Sequence, residues 1–159
     1  MPLTRYRPRP TLFAFISAIS MLLLLAACGG ETVPAIPTPG SGSSGLAQDK
    51  ASLIASLEKS GLTVTEEGSV EQPFLSVTGT SLKVDNEYIQ VFEYPDEAAA
   101  QKDASKIASD GSIEGYRIDW LGPPHFYRVG SMIVIYPGTD QKVLTALESA
   151  LGKPFAAAP

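Results

Sequence analysis

Apolar residues recur along this chain with two different periods, and the switches between them mark out its elements. In "LAQDKASLIASLEKSG" (residues 46–61) Leu46, Leu53, Ile54 and Leu57 fall at helical spacing, and Gly61 supplies a terminating glycine. The pattern then changes to short β-branched and aromatic runs: "LTVTEE", "FLSVTG", "SLKV" and "EYIQVFEY", with Asp85-Asn86 as a turn before the last. "YPDEAAAQKDASKIASDG" returns to the helical period. Pro95 suits the first helical position, Asp96 and Glu97 complement the positive end of the dipole, and Ala100, Ala104, Ile107 and Ala108 form the inward stripe.

After "YRIDWLGPP", the runs "HFYRV" and "MIVIY" flank Gly130-Ser131, a two-residue turn with glycine first. Gly122-Pro123-Pro124 reads as a rigid connector into this hairpin. "TDQKVLTALESALG" closes the pattern as a helix with Val143, Leu147 and Leu151 inward, Thr139 or Asp140 as cap and Gly152 as stop. Strands in antiparallel groups, separated by helices, predict an α+β domain: a mostly antiparallel sheet of about 5–6 strands with three helices packed on one face.

The Gly130-Ser131 turn also sets a register. Val129 faces Met132, Arg128 faces Ile133, Tyr127 faces Val134, Phe126 faces Ile135 and His125 faces Tyr136. Alternation then places His125, Tyr127 and Val129 on one face with Met132, Val134 and Tyr136. Phe126, Ile133 and Ile135 share the other, more purely apolar face, which is the expected core side. The His/Tyr face, with Trp120 nearby, is the candidate binding face: Trp120, His125, Tyr127 and Tyr136. The competing reading makes these aromatics a second packing layer under a helix, with their hydroxyls reaching water.

The N-terminal 45 residues follow different rules. Arg5, Arg7 and Arg9 precede the uncharged run Leu12–Ala27, too short for the ~20 residues of a membrane-crossing helix. A basic start, a short apolar middle and small residues at the end form the pattern of a secretory signal peptide, residues 1–27. An uncleaved membrane anchor is the competing reading.

Leu25-Ala26-Ala27-Cys28 resembles the lipobox of bacterial lipoproteins. The resemblance covers residues 1–28 and implies a diacylglyceryl group on the Cys28 thiol, cleavage before Cys28 and acylation of the new amine. Two or three acyl chains anchor stably where one binds only marginally, at ~0.8 kcal/mol per buried methylene. Residues 29–45, "GGETVPAIPTPGSGSSG", are rich in Gly, Pro and Ser and read as a flexible tether spanning roughly 20–25 Å. The single globular domain is residues 46–159.

Composition narrows the chemistry. Removal of the three leader arginines leaves 9 Lys+Arg against 17 Asp+Glu, a formal net charge of −8. Nucleic acid is therefore not an expected partner. The single cysteine is taken by lipid, so neither disulfides nor thiol chemistry is expected. One histidine and one cysteine do not make a zinc site, and the sequence has neither a G-x-S-x-G elbow nor a calcium loop. Gly40-Ser41-Gly42-Ser43-Ser44-Gly45 matches a dinucleotide fingerprint but follows proline-rich coil instead of a strand. Glu66, Glu67 and Glu71 read as a solvated acidic surface.

No catalytic residue, cofactor or metal is expected. These features predict a lipid-anchored, extracytoplasmic binding or scaffold domain at the cell envelope, whose partner is an envelope protein or a small ligand. The alternatives are a small-ligand-binding lipoprotein using the aromatic face around His125 and a hydrolase with paired carboxylates.

Overall fold

A computed structural model describes residues 45–159. The expected signal peptide, Cys28 and the expected tether up to Ser44 lie outside the described residues. The elements run α1 (Lys50–Lys59), β1 (Val64–Val70), β2 (Gly79–Val84), β3 (Glu87–Glu93), α2 (Glu97–Ala104), β4 (Pro124–Val129), β5 (Met132–Pro137), α3 (Gln141–Leu151) and β6 (Ala156–Ala157). Six strands form one antiparallel sheet in the order β1-β2-β3-β5-β4-β6. The α+β class predicted from the sequence holds.

The layering differs from expectation. Helices α1 and α3 cover one sheet face, where Leu53, Leu57, Val143, Leu147 and Leu151 pack on Leu82, Ile89, Val91, Tyr127, Val134 and Tyr136. Helix α2 lies on the other face. There Ala100, Ala104, Phe74, Ile107 and Ile113 pack on Phe92, Phe126, Ile133 and Ile135. Both faces of β5 are thus core, which is why "MIVIY" is apolar without alternation.

Capping residues set the helix boundaries. Asp49 caps α1 reciprocally with Ser52, so the helix starts at Lys50 and leaves Leu46 outside it, exposed rather than inward. Asp96 caps α2 by accepting from the Ala99 amide at 2.8 Å, which puts Pro95 ahead of the helix, not at its first position. Helix α2 stops at Ala104; Ile107 is still buried in the loop beyond, whereas Ala108 is exposed. Asp140 caps α3 through the Lys142 and Val143 amides, and Ala146 and Ala150 join the expected inward residues.

One expected strand is absent. Residues 74–78 of "FLSVTG" form an irregular segment, and only Gly79 enters β2. Phe74 and Leu75 are buried against the α2 face without ladder pairing. Conversely, β1 runs past "LTVTEE" to Val70, through a bulge at Glu66/Gly68 where Gly68 sits at φ 123. The β4–β5 register is the one the Gly130-Ser131 turn predicts, residue for residue.

Strand direction gives the sheet two distinct ends. The near end holds the β4–β5 turn, the end of β3 and the point where the chain enters: Ala47 donates to the Ala150 carbonyl and the Lys50 amide to Glu93. The far end holds the Asp85-Asn86 turn, Pro124, Pro137 and the start of α3, where Lys142 Nζ reaches Asp85 and the Gly61 carbonyl. The six residues of β5 separate these ends by roughly 20 Å.

Candidate functional site

The four aromatic candidates do not share one surface. Tyr127 and Tyr136 are fully buried in the layer under α1 and α3. The Tyr136 hydroxyl accepts from the Asp140 amide at 2.9 Å and donates to Glu87 Oε2 at 3.1 Å. Burial pushes this hydroxyl up to about 12, against the amide's hydrogen bond and with the Glu87 charge adding. His125, half-buried, stacks on Tyr136 with ring centroids 6.1 Å apart. Trp120 lies on the opposite, α2 side, edge-to-face with Phe74 and Phe126 at 6.4 and 5.8 Å.

The Tyr127 hydroxyl is buried and has no hydrogen-bond partner among the described residues. Burial, and then the charge of Glu148, raise it well above the usual tyrosine range. Expectation had the hydroxyls of this face reaching water; α3 closes over this one instead.

A buried ionic cluster went unseen in the sequence. Asp103, on the inner side of α2, is 1% exposed. Its Oδ2 accepts from the Ser76 amide at 2.6 Å, Ser76 Oγ at 2.7 Å and Tyr94 Oη at 3.0 Å, while its Oδ1 takes Lys106 Nζ at 2.6 Å. Lys106 also donates to the Phe74 carbonyl at 2.8 Å. Burial would raise this carboxyl, but the hydrogen bonds from Lys106, Ser76 and Tyr94 outweigh it and hold the group down at about 2. Burial and the bond to Asp103 push the Tyr94 hydroxyl well above the usual tyrosine range. A carboxylate held so far down is a poor base, and all its partners are segments of the fold. The cluster pins residues 74–76 to α2. Helical spacing of Lys106 from Asp103 was the one local signal for it.

Two open depressions flank the connector 120–124. One, of about 470 Å³, is lined by Asn86, Glu87, Tyr88, Leu121, Pro123 and Pro137 among others, at the far end. Leu121 is 95% exposed there and Tyr88 46%. Gly138 closes under it so tightly that a Cβ would stand 2.5 Å from the Tyr136 ring. The other, of about 310 Å³, is bordered by Asp110, Ser112, Tyr116, Arg117, Trp120 and Pro124.

The three glutamates that read as an acidic surface are all exposed. Glu66 pairs with Lys50 at 3.0 Å, Glu67 is exposed at the bulge, and Glu71 accepts from Thr78. Among the described residues no group of three or more His, Cys, Asp and Glu is placed to hold a metal ion, and no helix is long and apolar enough to cross a membrane. Comparison of the chain with protein-family models, with curated proteins and with solved structures returns no match.

Proposed function

We propose that the chain is a lipid-anchored, extracytoplasmic domain of a bacterial cell envelope that binds or scaffolds a partner instead of turning over a substrate. Cys28 carries the lipid and residues 29–45 lift the domain from the bilayer. The observation that carries the binding role is the domain's polarity. The chain enters at the near end, whereas the exposed Tyr88 and Leu121 stand at the far end. Attachment at the near end leaves that apolar surface clear of the point where the tether joins, so a partner can reach it.

Asp103 supports the same reading against the hydrolase alternative. This most deeply buried of the described carboxylates is committed to four hydrogen bonds that hold the fold. The small-ligand alternative keeps one specific observation in its favour, the depression beside Trp120. The test of anchoring is intact mass and membrane partitioning of the native chain beside Cys28→Ser, expressed in a bacterial host. The expected mass lacks residues 1–27 and gains acyl chains, and the variant leaves the lipid fraction. An unmodified Cys28 still joined to the apolar run would overturn the proposal.

A further inference from the structure

We infer that the depression beside Trp120 is a subsite for a neutral saccharide. It names a ligand class for the binding domain proposed above and takes its setting from that reading.

Tyr116 and Trp120 are held over one buried ring, Phe74, at centroid distances of 6.2 and 6.4 Å. Phe126 braces Trp120 from the sheet. Bridges from Ile113 to Ile107 and to Tyr116 fix the intervening loop, and Gly111, at φ 78, lets it pass against Ala158, where a Cβ would come within 3.0 Å. Tyr116 is nevertheless 45% exposed, and Trp120, partly buried against the α2-side core, still borders the depression. These are pre-positioned aromatic surfaces rather than finished core.

A pyranose ring presents a face of C–H bonds carrying partial positive charge, which the negative face of an aromatic ring attracts. Its rim of hydroxyls needs donors and acceptors together. The depression supplies both: the Arg117 guanidinium donates, the Asp110 carboxylate accepts, and the Ser112 hydroxyl does either. One Asp110 oxygen is occupied by the Ser112 amide at 3.0 Å, which orients the group. One positive and one negative side chain leave the lining without net charge, so it favours neither a polyanion nor a polycation. A volume of about 310 Å³ lies at the small end of ligand clefts and suits one or two sugar rings.

Trp120 is the only tryptophan in the chain, so its emission reports on this depression alone. The full chain, purified in detergent, is titrated with chitotetraose, cellotetraose, maltotetraose and mannotetraose, and with an anionic heparin tetrasaccharide as counter-probe. A saturable change in emission is expected with at least one neutral tetrasaccharide. Tyr116→Ala and Arg117→Ala each weaken it about tenfold, while Tyr116→Phe retains it. Arg117 is exposed, so its variant keeps the wild-type unfolding midpoint, and Tyr116→Phe separates loss of binding from loss of the Tyr116–Phe74 contact.

Three results would overturn the inference: no response to any neutral member up to about 10 mM, a response to the anionic probe alone, or neutral binding that Tyr116→Ala and Arg117→Ala leave unchanged. No membrane enters the assay. Failure of the anchoring proposal would show in the mass of the chain, and failure of this one in the titration.

Discussion

Removing the Asp103 carboxylate tests the account of the α2 face most directly. Truncation to Ala strips Ser76, Tyr94 and Lys106 of a shared acceptor. Breaking a buried pair by removing one partner costs about 3–5 kcal/mol when the orphan stays buried. Here the Lys106 side chain is 35% exposed and Ser76 lies at the surface, so water takes over part of the loss. A cost of about 2–4 kcal/mol follows. Asp103→Asn keeps the shape but loses the charge, and places an NH2 opposite a donor. It should cost about 1–3 kcal/mol.

The pH dependence separates charge from shape. The folded carboxyl sits at about 2 against an ordinary 3.8, so on acidification the unfolded chain takes up the proton first. The stabilisation is therefore fully present above pH 4 and lost as pH falls from about 4 to 2. Its size from the shift is about 2 kcal/mol. Urea unfolding from pH 7 to pH 2, followed by the emission of Trp120, measures it. Wild type should lose that increment across the window and Asp103→Asn should not. A variant as stable as wild type at pH 7, or one whose deficit persists undiminished at pH 2, would refute the ionic account of the cluster.

Four further substitutions probe the remaining layers. Tyr127→Phe removes a buried hydroxyl without a partner and should leave urea stability unchanged or raise it by up to ~1 kcal/mol, whereas Tyr136→Phe removes a hydroxyl with two partners and should lower it by about 1–2 kcal/mol. Gly138→Ala forces a Cβ against the Tyr136 ring at 2.5 Å and should cost about 1–3 kcal/mol in the same assay. Asp140→Ala removes the α3 cap and should lower the thermal midpoint by the equivalent of about 1 kcal/mol, with the far end of α3 gaining amide exchange first.

The β4–β5 hairpin was legible because a glycine-first turn fixes register, and register fixes every facing pair. Which face is core was not legible in the same way. The rule that the more apolar face is inward assumes one face in water, and β5 has neither face there. Tyr127 and Tyr136 looked like a site because their type straddles core and surface; α3 decided the matter from residues outside the hairpin. Residues 74–78 carry strand-like composition because Phe74 and Leu75 serve the core, and burial alone does not require pairing. Strand β6 is two alanines, with no pattern to read. The Asp103 cluster joins residues 27 positions apart in the chain, a closure no local period announces. Trp120 packs on Phe74 and Phe126 on the α2 side, away from the His125 face with which its residue type groups it in the sequence.

The order of strands in the sheet differs from their order in the chain, and synthesis feels the difference. Strand β3 ends at Glu93, but its inner neighbour β5 starts only at Met132. Helix α1, the first element in the chain, packs beside α3, whose last residue is Leu151. A nascent chain that has emerged only to residue 120 holds a three-stranded meander with an unpaired inner edge and two half-covered faces. The α1 layer cannot close until the final helix is present, and the α2 layer cannot close until β4 and β5 have been made. Closure of the α1 layer is thus a late event, dominated by contacts between distant parts of the sequence, and chains cut short before α3 should be cleared instead of persisting as a smaller domain.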